Sequence, residues 1–325
     1  MNRFFRLRLR WSAPLAGLIL MPLASAQING VLRPGGANPR YFTDDSGRAI
    51  YLTGAHTWAN LVDGWLSHGV NNPSPPPFDF DGYLDCLQAR HHNFIRLWTQ
   101  HMTRTDFSEE SGLPAGSKFY YASPSPWVRT GPGTALDGGA KFDLTQFNDA
   151  YFDRLRERVL AARARGMYVG TVLFEGYALR KKNAGLGWNY HPFHAANNVN
   201  GINGDPNGDG CGSEAHTLQA PGDRVWIADT DHIWGIGGSR DWVWKMFLRG
   251  YNPIYMDSWN NPDYPHTERE EVAVAMGQTR AFAQRINLAG MTPQNALAST
   301  GYALAAPGSQ YLFYQPETGA FSPSR

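Results

Sequence analysis

Cysteine is scarce in this chain, with two in 325 residues. That number rules out a disulfide-dense scaffold and a thiolate-rich metal site. Cys86 stands beside Leu84 and Leu87 in a helical pattern and Cys211 in a Gly/Asp loop, so a buried thiol at Cys86 is the simpler reading than a bridge. Long apolar runs are also missing. The longest, Ala13–Leu23, is too short to span a bilayer. It follows Arg3, Arg6, Arg8 and Arg10 and precedes Ala24-Ser25-Ala26, the arrangement of an export signal with an A-x-A cleavage site. The expectation is a signal over residues 1–26 and a secreted or periplasmic product over residues 27–325, with no membrane contact after cleavage.

A basic excess is absent too. Lys plus Arg number 29 against 28 Asp plus Glu, and four of the arginines lie in the signal, so net charge falls from +1 to −3 on cleavage. No basic stripe is left to neutralise phosphates, which excludes a nucleic-acid partner on electrostatic grounds. Internal repeats and low-complexity tracts are lacking as well.

Aromatic residues are abundant: 11 Trp, 15 Tyr and 17 Phe make up 13% of the chain. Such rings either fill a large core or serve as stacking platforms for the apolar faces of sugars. Composition leaves both uses open.

Along the chain, residues 38–47 read as a short hairpin and Ile50–Gly54 as a buried strand. Phe78–Arg90 has helical spacing, and Asn93–Trp98 forms a second strand. A polar Gly/Pro loop is expected to run to Lys141. Asp143 is then the expected N-cap of a helix carrying Leu144, Phe147, Tyr151, Leu155 and Val159, closed by Gly166. Met167–Phe174 is the third strand. Val225–Ala228 and Ile254–Asp257 are the last two, separated by a helix capped at Ser239 and closed at Gly250. A capping box at Thr267–Glu270 opens a helix through about Leu288, and Tyr311–Tyr314 with Gly319–Phe321 reads as a terminal hairpin. Strand–helix–strand alternation predicts an α/β fold with a parallel sheet, of the (β/α)8 TIM-barrel type. Only five of eight strands are visible. The 49 residues between Glu175 and Val225 are rich in Gly, Asn, Asp, Pro and His and hold no core strand, so about three central βα units are missing at roughly 30 residues each.

In such folds chemistry sits at the carboxyl ends of the strands. Those positions carry His56 and Trp58; Arg96, Trp98 and His101; Glu175; Asp229, Asp231, His232 and Trp234; and Asp257. Their recurrence at one end predicts a polar, aromatic-lined cleft, to which His194 and Asn197 of the gap loop are added as candidate sugar-binding residues. Asp205-Pro-Asn207-Gly-Asp209-Gly210 matches the opening of a calcium loop, but His216 stands where the closing Glu belongs, and plain Asx turns explain the run. His191, His194 and His216 fit no standard zinc spacing. No metal or cofactor is expected.

The segments Asn38–Trp58, Asn93–Trp98, Asp143–Glu175 and Asp229–Trp234 resemble (β/α)8 glycoside hydrolases of the cellulase-like superfamily, in particular the apiosidase-like group and its uncharacterised relatives. The resemblance implies cleavage of poly- or oligosaccharides by two carboxylates. It implies a nucleophile after the seventh strand, here Asp231, with Asp229 the neighbouring alternative. It also implies an acid/base Glu after Asn at the end of the fourth strand. No Asn-Glu pair occurs anywhere in this chain. Glu175 is the candidate substitute, on condition that the third and seventh strands become neighbours. Without one, the expectation is a catalytically inactive carbohydrate-binding remnant. Relatives continue into a β-sandwich, so residues 302–325 are read as the start of a truncated β domain with an unpartnered hairpin. Exposed sheet edges predict self-association.

Overall fold

A computed structural model describes residues 28–57, 60–68, 76–106, 108, 112–175, 187–202, 222–230, 238–256, 259, 270–320 and 322–323. At its centre lie β1 (Gly54–His56), β2 (Phe94–Leu97), β3 (Tyr168–Thr171), β4 (Ile227–Asp229) and β5 (Asn252–Met256). They form one parallel sheet in the order β3-β2-β1-β5-β4. All five overlap expected strands, but the first is displaced: residues 51–53 are not in a strand, Ile50 pairs in a separate antiparallel sheet, and the central strand is Gly54–His56. Among the described residues the sheet is open: β3 and β4 are its two edges and do not pair. Burial follows the order, complete in β1 and β5 and partial in β3 and β4.

Period-two alternation sorts the side chains. Ala55, Ile95, Leu97 and Tyr255 face the helices, with Val169 and Ala228 packed alongside. Phe94 and Ile254 face the other way. Leu52 joins them, and Tyr168 and Ile227 pack with Leu32, Phe42 and Ile50. Phe42 and Ile50 belong to an antiparallel sheet of Arg33–Pro34, Phe42–Thr43 and Ala49–Ile50, which covers the amino end of that face. Gly54 lies opposite Phe94, where a Cβ would come within 1.8 Å of the Phe94 carbonyl oxygen, so no side chain fits.

Among the described residues, four helices cover the opposite face. α1 (Phe80–Ala89) is capped by Asp79, whose carboxylate accepts from the Gly82 amide at 3.0 Å, and buries Phe80, Tyr83, Leu84 and Leu87 at helical spacing. α2 (Asp149–Ala164) is capped by Asn148 and ends before Gly166, whose φ of 72° needs glycine. α3 (Arg240–Leu248) is capped by Ser239 and followed by Gly250 at φ 85°. α4 (Glu270–Ala283) begins next to residues outside the described set, which include most of the expected capping box.

Three expectations are corrected. Residues 99–141 are not one loop: Lys118–Ser123 pairs with Asp63–His68 on one side and Arg104–Asp106 on the other, and Trp127–Thr134 starts a hairpin with Ala140–Phe147. Asp143 does not cap α2. Its carboxylate accepts from the Thr145 amide and hydroxyl and from Gln146, an Asx motif that holds Leu144 and Phe147 in the strand. The terminal hairpin is Ala303–Ala306 with Gln310–Phe313, not residues 311–314 with 319–321, and it is not unpartnered, since Thr292–Pro293 pairs with its first strand. Leu304, Leu312 and Tyr314 pack on Trp244, Phe247 and Leu288, with Tyr314 stacked on Trp244 at 5.8 Å. No helix among the described residues is long and apolar enough to cross a membrane.

Candidate functional site

The register places Arg96 opposite His56 on one side and Gly170 on the other, at the carboxyl end of the sheet. From β4, Asp229 bridges both. Its Oδ1 lies 2.9 Å from His56 Nε2 and its Oδ2 accepts from Arg96 Nη1 at 2.6 Å. β4 and β2 are three strand spacings apart, about 14 Å along a flat sheet, more than an arginine and an aspartate span together. The contact therefore requires a curled sheet with its concave face toward these residues.

Trp98 stacks on His56 at 4.9 Å and 21°. Asn60 locks the β2 end by accepting from the Trp98 amide at 2.7 Å and donating to the Arg96 carbonyl at 2.7 Å. His56 is fully buried, while the Asp229 and Arg96 side chains retain 20% and 26% exposure and face solvent. Among the described residues, His56 Nδ1 and Trp98 Nε1 are buried with no hydrogen-bond partner. The part-exposed carboxylate and guanidinium are chemistry suited to hydroxyl groups.

A second group lies above β2 and the edge strand β3. His101, Glu175 and His191 are all buried, and one ligand-type atom of each lies within 4.8 Å of the others. His191 Nε2 is 3.8 Å from Glu175 Oε1. Rings enclose them: Trp127 lies 5.3 Å from His101, and Trp188 stacks on His191 at 5.3 Å. Phe174 and Phe193 close the surround. Burial lowers His101 to about 4, opposed by its bond to the Leu173 backbone, and lowers His191 to about 3, with His101 adding to the effect. Both imidazoles are therefore neutral at pH 7.

Of the expected residues, His56, Arg96, Trp98 and Asp229 converge in the first group, and His101 and Glu175 in the second. His194 caps a short turn, its Nδ1 accepting from the Ala196 amide, with its ring 5.8 Å from Trp188. Asn197 is almost fully buried and braces the turn, donating to the carbonyls of Asn189 and His191 and accepting from the Leu136 amide. Trp58, Asp231, His232, Trp234, Asp257 and the Asp205–His216 stretch lie outside the described residues. Glu175 and β4 stand at opposite edges of the sheet, so the adjacency on which its acid/base role was conditional is not provided by strand pairing. The sequence reading missed Trp127, Trp188 and Phe193, and grouped His191 with His194 and His216 rather than with Glu175. The dense run Trp188-Asn-Tyr-His-Pro-Phe-His194 was the available hint.

Residues 108–207 match a family described as a domain of unknown function (DUF6298). No curated protein matches the chain. Solved structures with partial likeness include a glycoside hydrolase family 5 protein from Bacteroides vulgatus ATCC 8482, at 15% identity and TM-score 0.24 over 44% of this chain and 24% of that one. A putative glycoside hydrolase from the same organism gives 10% identity and TM-score 0.30 over 78% of this chain and 36% of that one. A third, titled glycoside hydrolase, gives 12% and 0.41 over 85% and 81%. The chain thus spans about a quarter and about a third of the first two. Scores this low do not carry those proteins' activities to this chain.

Proposed function

We propose that this chain is a glycoside hydrolase-like protein that takes a carbohydrate at the concave carboxyl end of its sheet. The observation that carries the reading is Asp229, held by His56 and Arg96 beside the stacked Trp98. Carboxylate, guanidinium and imidazole supply directional partners for hydroxyls, and the indole supplies an apolar face. The sequence resemblance supports the same class and implies Asp231 as nucleophile.

A second reading, binding without turnover, is favoured by the separation of β3 from β4. A leaving group without a proton donor costs about 10²–10⁴-fold in rate. Calorimetric titration of the exported chain with a panel of oligosaccharides, paired with a hydrolysis assay, tests both. Binding that is lost in Trp98→Ala supports the carbohydrate site, and hydrolysis abolished by Asp231→Ala supports the enzyme. A folded protein that binds no glycan in the panel refutes the proposal.

A further inference from the structure

We propose that His101, Glu175 and His191 form a binding site for a first-row divalent cation of the zinc class. The three donors reach one point from three separate segments: the loop after β2, the end of β3, and the turn that follows Trp188–Tyr190. Their exposures are 2%, 4% and 3%, so the cluster is dry.

The donor set selects the ion. Two imidazoles and one carboxylate suit zinc and its first-row neighbours, whereas calcium and magnesium take oxygen donors throughout. Zinc–ligand bonds of about 2.0–2.2 Å put tetrahedral neighbours roughly 3.3 Å apart. From the present 3.8 Å, His191 Nε2 and Glu175 Oε1 need to close by about half an ångström, within reach of side-chain rotation. Three protein donors leave a fourth position open to water or a ligand.

Some outer contacts are in place around the two histidines, and one must change on binding. His101 is bonded to the Leu173 backbone, and Asn197 holds the His191 carbonyl at 2.9 Å. The Phe193 amide donates to His191 Nδ1 at 3.0 Å, which puts that ring's proton on Nε2. A cation that takes Nε2 moves the proton to Nδ1 and turns the Phe193 amide away, so this amide reports on binding. The inference does not depend on the carbohydrate reading. It bears on it, since a Glu175 committed to a cation does not deliver a proton, and a filled site favours binding without turnover.

The test is titration of the exported chain, freed of metal by chelation, with zinc alone by calorimetry and with cobalt by visible absorption. The expected result is one ion per chain, an intense tetrahedral cobalt spectrum, a raised melting temperature and a shifted Phe193 amide resonance. Affinity should fall at least tenfold in His101→Gln and in His191→Gln. An octahedral, oxygen-type cobalt spectrum in the unmutated protein would overturn the proposal without reliance on any variant. So would an absence of binding, or affinity unchanged in both folded variants, which would mean an adventitious ion only.

Discussion

Replacing Asp229 by Asn isolates the contact that defines the concave face. The substitution keeps the shape of the side chain and removes its charge. One amide oxygen can still accept from Arg96 or His56, but the group facing the other becomes a donor and repels it. A hydrogen bond to a charged partner contributes about 1.5–3 kcal/mol. A fully buried pair would cost more to break, about 3–5 kcal/mol, but Asp229 and Arg96 keep a fifth to a quarter of their side chains exposed. The expected loss is therefore about 2–3 kcal/mol, or a fall in melting temperature of about 3–5 °C in a chain of this length. Urea unfolding followed by tryptophan fluorescence measures it. In an Arg96→Gln background the same change should cost at least about 1 kcal/mol less, because one partner has already gone. If Asp229→Asn costs under about 0.5 kcal/mol, or costs the same in both backgrounds, Asp229 does not bridge the strand ends and the curled-sheet geometry is wrong.

Two further perturbations test the packing. His92 is buried against Tyr255, and burial, with Arg280 and Arg90 nearby, lowers it to about 3. Unfolded histidine titrates near 6.5, so between about pH 6.5 and 3 the unfolded chain binds the extra proton. Stability should therefore fall by up to about 1.4 kcal/mol per pH unit as pH drops through that window, and the His92→Gln variant should show a shallower slope; equal slopes would count against a neutral buried His92. Gly277→Ala places a Cβ 2.1 Å from the Arg90 carbonyl oxygen, a backbone atom that cannot step aside. The gain in helix propensity, about 1 kcal/mol, should be outweighed by overpacking of about 2–3 kcal/mol, and a variant more stable than the parent in urea would contradict the close approach of α4 to the end of α1.

The five parallel strands were readable because their sequences are nearly continuous apolar runs bounded by Gly, Asp or His, the pattern of strands covered on both faces. The Ser239 and Gly166 boundaries were readable because capping chemistry is local. The Asp143 boundary was misread for a similar reason: its Asx motif satisfies the same donors that an N-cap would, and the spacing of Leu144 and Phe147 suits either a helix or a bulged strand. Half of the site was legible, since strand ends are predictable positions. The His101–Glu175–His191 group was not. His191 comes from a turn whose course is set by Asn197 and Asn198, and no periodicity encodes where such a turn lands.

The open sheet leads to one more consequence. Among the described residues, β3 pairs only with β2, and the α2 flank beside it carries apolar groups in solvent: Phe152, Val159 and Leu160 lie on one helical face, with Phe147 against Phe152. Just past β3, Leu173 and Phe174 are 73% and 67% exposed. A strand edge and an apolar helix face side by side form a surface that a second copy can cover, through backbone pairing and burial together. We propose that the chain self-associates through this flank. Sedimentation velocity over a range of micromolar concentrations should show a concentration-dependent shift to a dimer or larger species. Leu160→Lys should weaken it, since a charge at the centre of the face must be desolvated on contact while the fold, which leaves Leu160 in water, is untouched. A folded protein that sediments as a monomer throughout would mean that the flank is covered within the chain itself.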